Sequence, residues 1–240
     1  MPFDPAPAAS ARRMTLTPEL VARAFREVED PGLPPEWTAL TDEDFARLAD
    51  DWLERSGGGP VRVFAYGSLI WNPGFPVGRI TRGVAHGWHR SFCLHLTSWR
   101  GSPEYPGLML ALEAGGSAAG LLMEVAPGEE RAGIEALLRR EIAAREHTHM
   151  VRVVSVRSEG EAVPALTFWA GPKGEGVVSL PVEEQARRLA TACGHRGSGA
   201  EYLYNTVAKL EEHGIHDRNL WQLQHLTAEE LVRRHASPAA

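Results

Sequence analysis

Val61-Arg62-Val63-Phe64-Ala65-Tyr66-Gly67-Ser68-Leu69 is the stretch at which this 240-residue chain changes character. Its first six residues alternate and are rich in β-branched and aromatic side chains, the signature of a strand. The strand runs straight into a glycine, which permits a tight turn. Upstream the pattern is helical. Thr17-Pro18-Glu19 opens a helix expected to reach about residue 29, where Pro31 and Pro34-Pro35 stop it. Thr41-x-x-Asp44 reads as a capping box for a second helix whose apolar stripe is Phe45, Leu48, Ala49, Trp52 and Leu53. Ser56-Gly57-Gly58-Gly59-Pro60 is a clear break. Residues 1–57 are therefore expected to form an N-terminal helical extension and 58–236 the main domain. The first dozen residues, rich in proline and alanine, read as disordered.

Downstream, further strands are predicted at 79–87, 88–97, 108–113 and 121–125. A helix over 129–145, two more strands at 151–156 and 165–169, and closing helices at 181–193, 199–213 and 227–235 follow. Strands first, a helix inserted and helices clustered at the end imply an α+β domain around a strongly curved, mostly antiparallel sheet with flanking helices.

Composition limits the function classes. With 43% hydrophobic and 23% charged residues, the chain reads as a soluble globular protein able to bury one good core. No apolar run approaches membrane-spanning length, and residues 1–13 lack the apolar stretch of a signal peptide. Cys93 and Cys193 are too few for a disulfide framework and lack metal-ligand spacing, so they read as small buried apolar residues of a reduced, cytoplasmic protein. Residues 1–60 hold 12 acidic and 6 basic side chains, which is the whole of the net charge of −6; the remainder is neutral. Without a basic field, nucleic acid is not an expected partner. Local arginine pockets for a small anion remain open.

Glu141 sits where a hydrophobic residue belongs. Ile134, Leu137 and Leu138 form one stripe of the helix predicted over 129–145, and the next position on that stripe is Glu141. A carboxylate aimed into an apolar face is costly unless paired or neutralised, and burial raises its pKa toward the range of a general acid/base. The plain alternative is a glutamate paired with Arg140 or Arg145. Three loops supply candidate binding groups. Tyr66-Gly67-Ser68-Leu69 can direct successive backbone N–H groups at a carboxylate or an oxyanion, with Ser68 and Tyr66 adding hydroxyls. As a nucleophile Ser68 has little support, since no GxSxG elbow is present. Arg100, in the Gly/Pro-rich loop Arg100-Gly101-Ser102-Pro103-Glu104-Tyr105-Pro106-Gly107, can pair with a substrate carboxylate. Gly197-Ser198-Gly199-Ala200-Glu201-Tyr202 opens a late helix at a position that suits an anion. Each loop alone also reads as an ordinary turn, surface loop or capped helix.

Taken together, the order of these stretches resembles the ChaC-type γ-glutamylcyclotransferases. The likeness runs through Val63-Phe64-Ala65-Tyr66-Gly67-Ser68-Leu69-Ile70-Trp71-Asn72-Pro73 and Gly87-Trp88-His89-Arg90-Ser91-Phe92-Cys93. It continues in Arg100-Gly101 with Pro106-Gly107, Leu108-Met109-Leu110-Ala111-Leu112, Arg140-Glu141 and Gly199-Ala200-Glu201-Tyr202-Leu203. It spans roughly residues 61–230. The resemblance implies a γ-glutamylcyclotransferase-like barrel and cleavage of a γ-glutamyl amide, glutathione above all, to 5-oxoproline and cysteinylglycine. It makes Glu141 the acid/base and Tyr66, Gly67, Ser68 and Leu69 the γ-glutamyl-holding loop, with Arg100 and Tyr202 as further substrate-binding candidates. It requires no metal or cofactor, because the substrate's own α-amine is the nucleophile. One stretch departs from the pattern: a glycine-rich turn and a tyrosine usually follow the glutamate, whereas this chain reads Ile142-Ala143-Ala144-Arg145-Glu146-His147-Thr148-His149. His147 stands near that tyrosine's place and bears on which leaving group fits. A catalytically silent γ-glutamyl-binding protein and a cyclotransferase for other γ-glutamyl amines are the alternatives. A metal reading of His147 and His149 lacks a third ligand.

Overall fold

Helix-forming and strand-forming segments alternate as the sequence predicts, but their lengths are set by tertiary pairing. The computed structural model describes residues 13–56, 58–172 and 176–236. The proline- and alanine-rich N-terminal segment and Gly57 of the Gly-rich break lie outside the described residues. Thr17 caps helix α1 (Pro18–Arg23), its hydroxyl accepting the Leu20 N–H. The helix is shorter than the expected run to residue 29. Ala24 turns into the core at 3% exposure and the Arg26 N–H donates to Cys193 Sγ, so contacts made by the chain after Arg23 replace further helical bonds. Helix α2 (Asp42–Arg55) has the predicted capping box, with both the Thr41 and Asp44 bonds formed.

Strand β1 (Arg62–Ala65) is followed by a 3₁₀ turn (Ser68–Ile70) and then by two long strands, β2 (Val77–Leu96) and β3 (Gly107–Val125). Four short strands were expected here. The supposed break at residues 87–88 is a bulge: the β2–β3 register shifts between His86 and Trp88, and Gly87 takes φ +82°, which a side chain would resist. The supposed break at 114–120 is small and glycine-rich, poor by propensity, yet Ala85 faces Ala118 and Gly83 faces Gly120 across the ladder. Backbone pairing with β2 decides the matter, since strand propensity largely reflects side-chain packing.

Helix α3 (Glu130–Glu141) ends sooner than the expected residue 145 and leads through a 3₁₀ segment (Arg145–Met150) into β4 (Val151–Ser158) and β5 (Glu161–Phe168). The strands close into a barrel in the order β1-β3-β2-β4-β5. Every neighbouring pair is antiparallel except β1 with β5, which meet in parallel at Val63 and Leu166. Helix α4 (Val182–Thr191), the two-residue strands β6 (Cys193–Gly194) and β7 (Gly197–Ser198), helix α5 (Gly199–Glu212) and helix α6 (Arg218–His235) complete the chain. Helix α6 starts nine residues before the expected 227, because Asp217 caps it by accepting the N–H groups of Asn219 and Leu220.

One hydrophobic core runs from the barrel interior (Phe64, Leu112, Leu121, Leu166) to α3 and out to Leu16, Ala24, Phe45, Ala49 and Trp52 of the N-terminal segment. Buried Gln224 on α6 also accepts the N–H of Leu16 at 2.9 Å. No helix among the described residues is long and apolar enough to cross a membrane.

Candidate active site

Glu141 is the last residue of α3 and follows the predicted stripe: Ile134, Leu137 and Leu138 are fully buried, and the carboxylate comes next on the same face. Its side chain is 22% exposed, and Arg140 Nε lies 3.1 Å from Oε1. The Arg140 guanidinium is shared, since Nη1 also donates to the Asn72 carbonyl. Burial raises the Glu141 pKa above the ordinary carboxylate value, and the neighbouring Arg140 only partly opposes it. The carbonyls of a helix C-terminus carry partial negative charge, which acts in the same direction as burial.

The Tyr66-Gly67-Ser68-Leu69 turn directly follows the C-terminal end of β1. Tyr66 is buried, and its hydroxyl donates to the Phe168 carbonyl at 2.8 Å. Burial, with Tyr202 and Glu141 close by, raises its pKa well above the usual phenol value. The N–H groups of Gly67, Ser68 and Leu69 donate to no carbonyl among the described residues, and that of Ser68 is directed at the Tyr202 hydroxyl, so the turn presents N–H groups toward the phenol. Gly67 is a position of close approach: a methyl group here would stand 3.2 Å from Tyr202 Oη and 3.4 Å from Leu110 Cδ2. Leu69 turns away into the core at 5% exposure.

Tyr202 enters from the first turn of α5, which Ser198 caps by accepting the Glu201 N–H at 3.1 Å. Edge-on contacts with Trp71 (6.1 Å) and Phe92 (5.9 Å) fix its ring. Burial and the charge of Glu141 push the phenol up to about 12, while a hydrogen bond with Ser68 and the Arg100 charge act the other way. Tyr66, Gly67, Ser68, Glu141 and Tyr202 are thus brought together from three separate parts of the chain.

Arg100 is also present, with one of its nitrogens committed within the protein. Nη1 donates to Glu201 Oε2 at 2.8 Å and to the Ser198 carbonyl at 3.1 Å, and the guanidinium lies over the Tyr202 ring at 5.3 Å. That arrangement makes it a clamp on Tyr202. The His147 ring makes no hydrogen bond with these hydroxyls or with the Glu141 carboxylate. Its ring meets Trp37 edge-on at 4.3 Å, and Trp37 in turn stacks on Trp99 at 5.4 Å. Burial foremost, and His149 nearby, hold the His147 imidazole below its ordinary value. His149 Nδ1 is engaged with the Glu146 carbonyl at 2.7 Å, and no group of three potential metal ligands occurs among the described residues.

Sequence reasoning did not pick out Glu201 as the partner of Arg100, although each stands in one of the candidate loops. It also passed over Trp37, for which the sequence carries no signal at all, and Arg90. The last is buried on β2, its Nη1 3.5 Å from Asp217 and both Nε and Nη1 without a hydrogen-bond partner.

Comparison with known proteins gives the family. Residues 61–230 match the family described as ChaC-like protein. The chain is 32% identical over 198 residues to the glutathione-specific gamma-glutamylcyclotransferase of Escherichia coli (strain K12), covering 82% of this chain and 83% of that protein. It is 27% identical over 181 residues to gamma-glutamylcyclotransferase 2-3 of Arabidopsis thaliana, covering 70% and 90% of the two. Among solved structures, a yeast gamma-glutamylcyclotransferase specific to glutathione superposes with a TM-score of 0.66 at 19% identity, over 75% of this chain and all of the other, which is a likeness of fold. The chain belongs to the ChaC-like family.

Proposed function

We propose that this ChaC-like protein is a γ-glutamylcyclotransferase that splits the γ-glutamyl amide of glutathione into 5-oxoproline and cysteinylglycine. The observation that carries the reading is the meeting of a carboxylate of raised pKa, Glu141, with the Gly67–Leu69 turn and the Tyr202 phenol that Ser68 bonds. The relatives named above support it, since two carry this activity in their names.

In the proposed reaction the substrate's α-amine attacks its own γ-carbonyl carbon. The new C–N bond closes the lactam, the old amide C–N bond breaks, and the proton shed by the attacking nitrogen ends on the leaving nitrogen. Water is not consumed, and no protein nucleophile is needed. Folding the γ-glutamyl chain so that amine meets carbonyl is an orientation effect, for which the Gly67 turn under Tyr202 provides a confined seat. The N–H groups of the turn suit the tetrahedral oxyanion. Glu141, with its raised pKa, accepts the ammonium proton and returns it to the leaving amine near neutral pH. Tyr202 donates a hydrogen bond at the same point and keeps its proton throughout, because its pKa stands at about 12. Arg100 holds Tyr202 in place. A reducing cytoplasm suits the protein, whose Cys93 and Cys193 are both free and buried.

The test is release of 5-oxoproline from glutathione by the full chain, with Glu141→Gln as control. Binding of glutathione without 5-oxoproline release by the wild-type protein would replace this reading with that of a silent γ-glutamyl-binding protein.

A further inference from the structure

Arg140 touches both halves of the site. Its Nε lies 3.1 Å from Glu141 Oε1, and its Nη1 donates to the Asn72 carbonyl. Asn72 in turn is bound to the Gly67 turn, since the Ser68 carbonyl accepts the Asn72 N–H at 2.9 Å. A connected path of polar contacts therefore runs from Ser68 through Asn72 and Arg140 to the Glu141 carboxylate. The stem of Arg140 is seated as well. It crosses Gly74, which has φ +75° and where a methyl group would stand 2.9 Å from Arg140 Cδ and 3.0 Å from Nη1. Any side chain at that position would push the guanidinium off its place, so the glycine makes room for the arginine.

A guanidinium suits this place better than an ammonium. Its nitrogens point in fixed directions within one plane, so two acceptors from distant parts of the chain are held at a set separation. The charges around Glu141 also single out Arg140. Tyr66, from the end of β1, and Tyr202, from α5, are the titratable groups that face Glu141 from other elements, and both phenols keep their protons at neutral pH. Arg100 reaches the site over the Tyr202 ring, with its charge met by Glu201. Arg139 on α3 and Arg145 beyond it are paired with Asp42 and Asp44 of α2. Among the described residues, Arg140 is the cation left in contact with the Glu141 carboxylate.

We infer that Arg140 is a positioning residue: its fork ties Glu141 to the turn that holds the γ-glutamyl group, and its charge sets the pH range in which the carboxylate works. The inference rests on the cyclotransferase reading, in which Glu141 must be ionised to take the ammonium proton. Activity then rises as pH climbs through the Glu141 pKa, and a neighbouring cation keeps that rise at lower pH.

The experiment follows 5-oxoproline release from glutathione against pH for the full chain and two variants, and titrates the Glu141 carboxylate directly by carbon NMR. Arg140 is 26% exposed, so both variants are expected to fold. Arg140→Gln removes the charge, and the acid limb of kcat/KM and the Glu141 titration should both move to higher pH by about one unit. Arg140→Lys keeps the charge but lacks the fork, so both should stay near their wild-type place while kcat falls several-fold. A merely structural arginine would lower the rate or Tm in both variants without moving either titration. Unmoved titrations in Arg140→Gln overturn the inference, as does an equal shift in Arg140→Lys. Wild-type kcat in Arg140→Lys overturns the tie to the turn. If the wild-type protein releases no 5-oxoproline, the cyclotransferase reading fails, while the NMR titration still decides whether Arg140 controls Glu141, so the two failures are told apart.

Discussion

Asp44 and Glu141 are carboxylates on the packed helices α2 and α3, each touching arginine, and their acidities move in opposite directions. Asp44 is the more covered of the two, at 8% exposure against 22%, yet it is the one that stays strongly acidic. It stands in the first turn of its helix, where Thr41 donates an N–H at 3.0 Å and a hydroxyl at 3.1 Å, and where Arg47 (2.7 Å) and Arg145 (2.5 Å) approach. Glu141 stands in the last turn of its helix with one arginine, itself shared with Asn72. The difference teaches that donors set against burial decide a carboxylate's role: the Thr41 N–H foremost holds Asp44 acidic, whereas burial raises Glu141 with one arginine to oppose it. Asp44 fastens the extension; Glu141 is left short of partners and so is available to carry a proton.

The contrast can be broken most severely by removing one side of it. Deleting residues 1–57 strips Leu16, Ala24, Phe45, Ala49 and Trp52 from the common core. We expect insoluble or unfolded protein, because several large apolar side chains lose their cover together. A soluble, cooperatively melting 58–240 fragment would show that the barrel closes without the extension.

Glu141→Gln should leave the fold intact and reduce 5-oxoproline release by about 10²–10⁴-fold or more, since the amide keeps the shape but cannot shuttle a proton. Substrate binding, followed by calorimetry, should change little. Wild-type turnover in this variant would remove Glu141 from the mechanism. Tyr202→Phe should do less, on the order of tenfold or more in kcat, because one hydrogen-bond donor beside Ser68 is lost while the Arg100 clamp keeps its ring.

The smallest expected effects concern stability and sharpen the comparison by sign. Asp44 has a lowered pKa, so its contribution is present above the ordinary carboxylate range and is lost as pH falls through its folded value. Asp44→Asn should therefore lower Tm at neutral pH, with the deficit shrinking on acidification. Glu141 has a raised pKa, so its proton favours the fold at low pH and that advantage is lost as pH rises through the folded value. Glu141→Gln should hold or raise Tm at neutral pH. Thr41→Ala, which removes only the cap hydroxyl, should cost about 1 kcal/mol. Parallel pH–Tm curves for the Asp44 and Glu141 variants would erase the distinction drawn between the two residues.

Much of this was legible in the chain itself. The capping box at Thr41 and Asp44, the strand ending in Gly67 and the α3 stripe that delivers Glu141 are local patterns, set by helix and strand periodicity and by short-range hydrogen bonds. The order of motifs along the chain also placed it with the ChaC-like proteins. What the sequence did not contain is anything that depends on residues far apart meeting. Propensity broke β2 and β3 into four pieces, because a glycine-rich strand is held by its partner's backbone and not by its own side chains. Arg100 read as a candidate partner for a substrate carboxylate, and only the packing of α5 shows Glu201 and Tyr202 against it. Trp37 gave no sign of itself: a lone tryptophan after two prolines meets Trp99 and His147 only when Thr38 is tied to the segment after Glu141. Local order follows from neighbours in sequence; the acidity of Glu141 and the company of Trp37 follow from which surfaces the closed barrel and its helices leave covered, and that is settled by the whole fold at once.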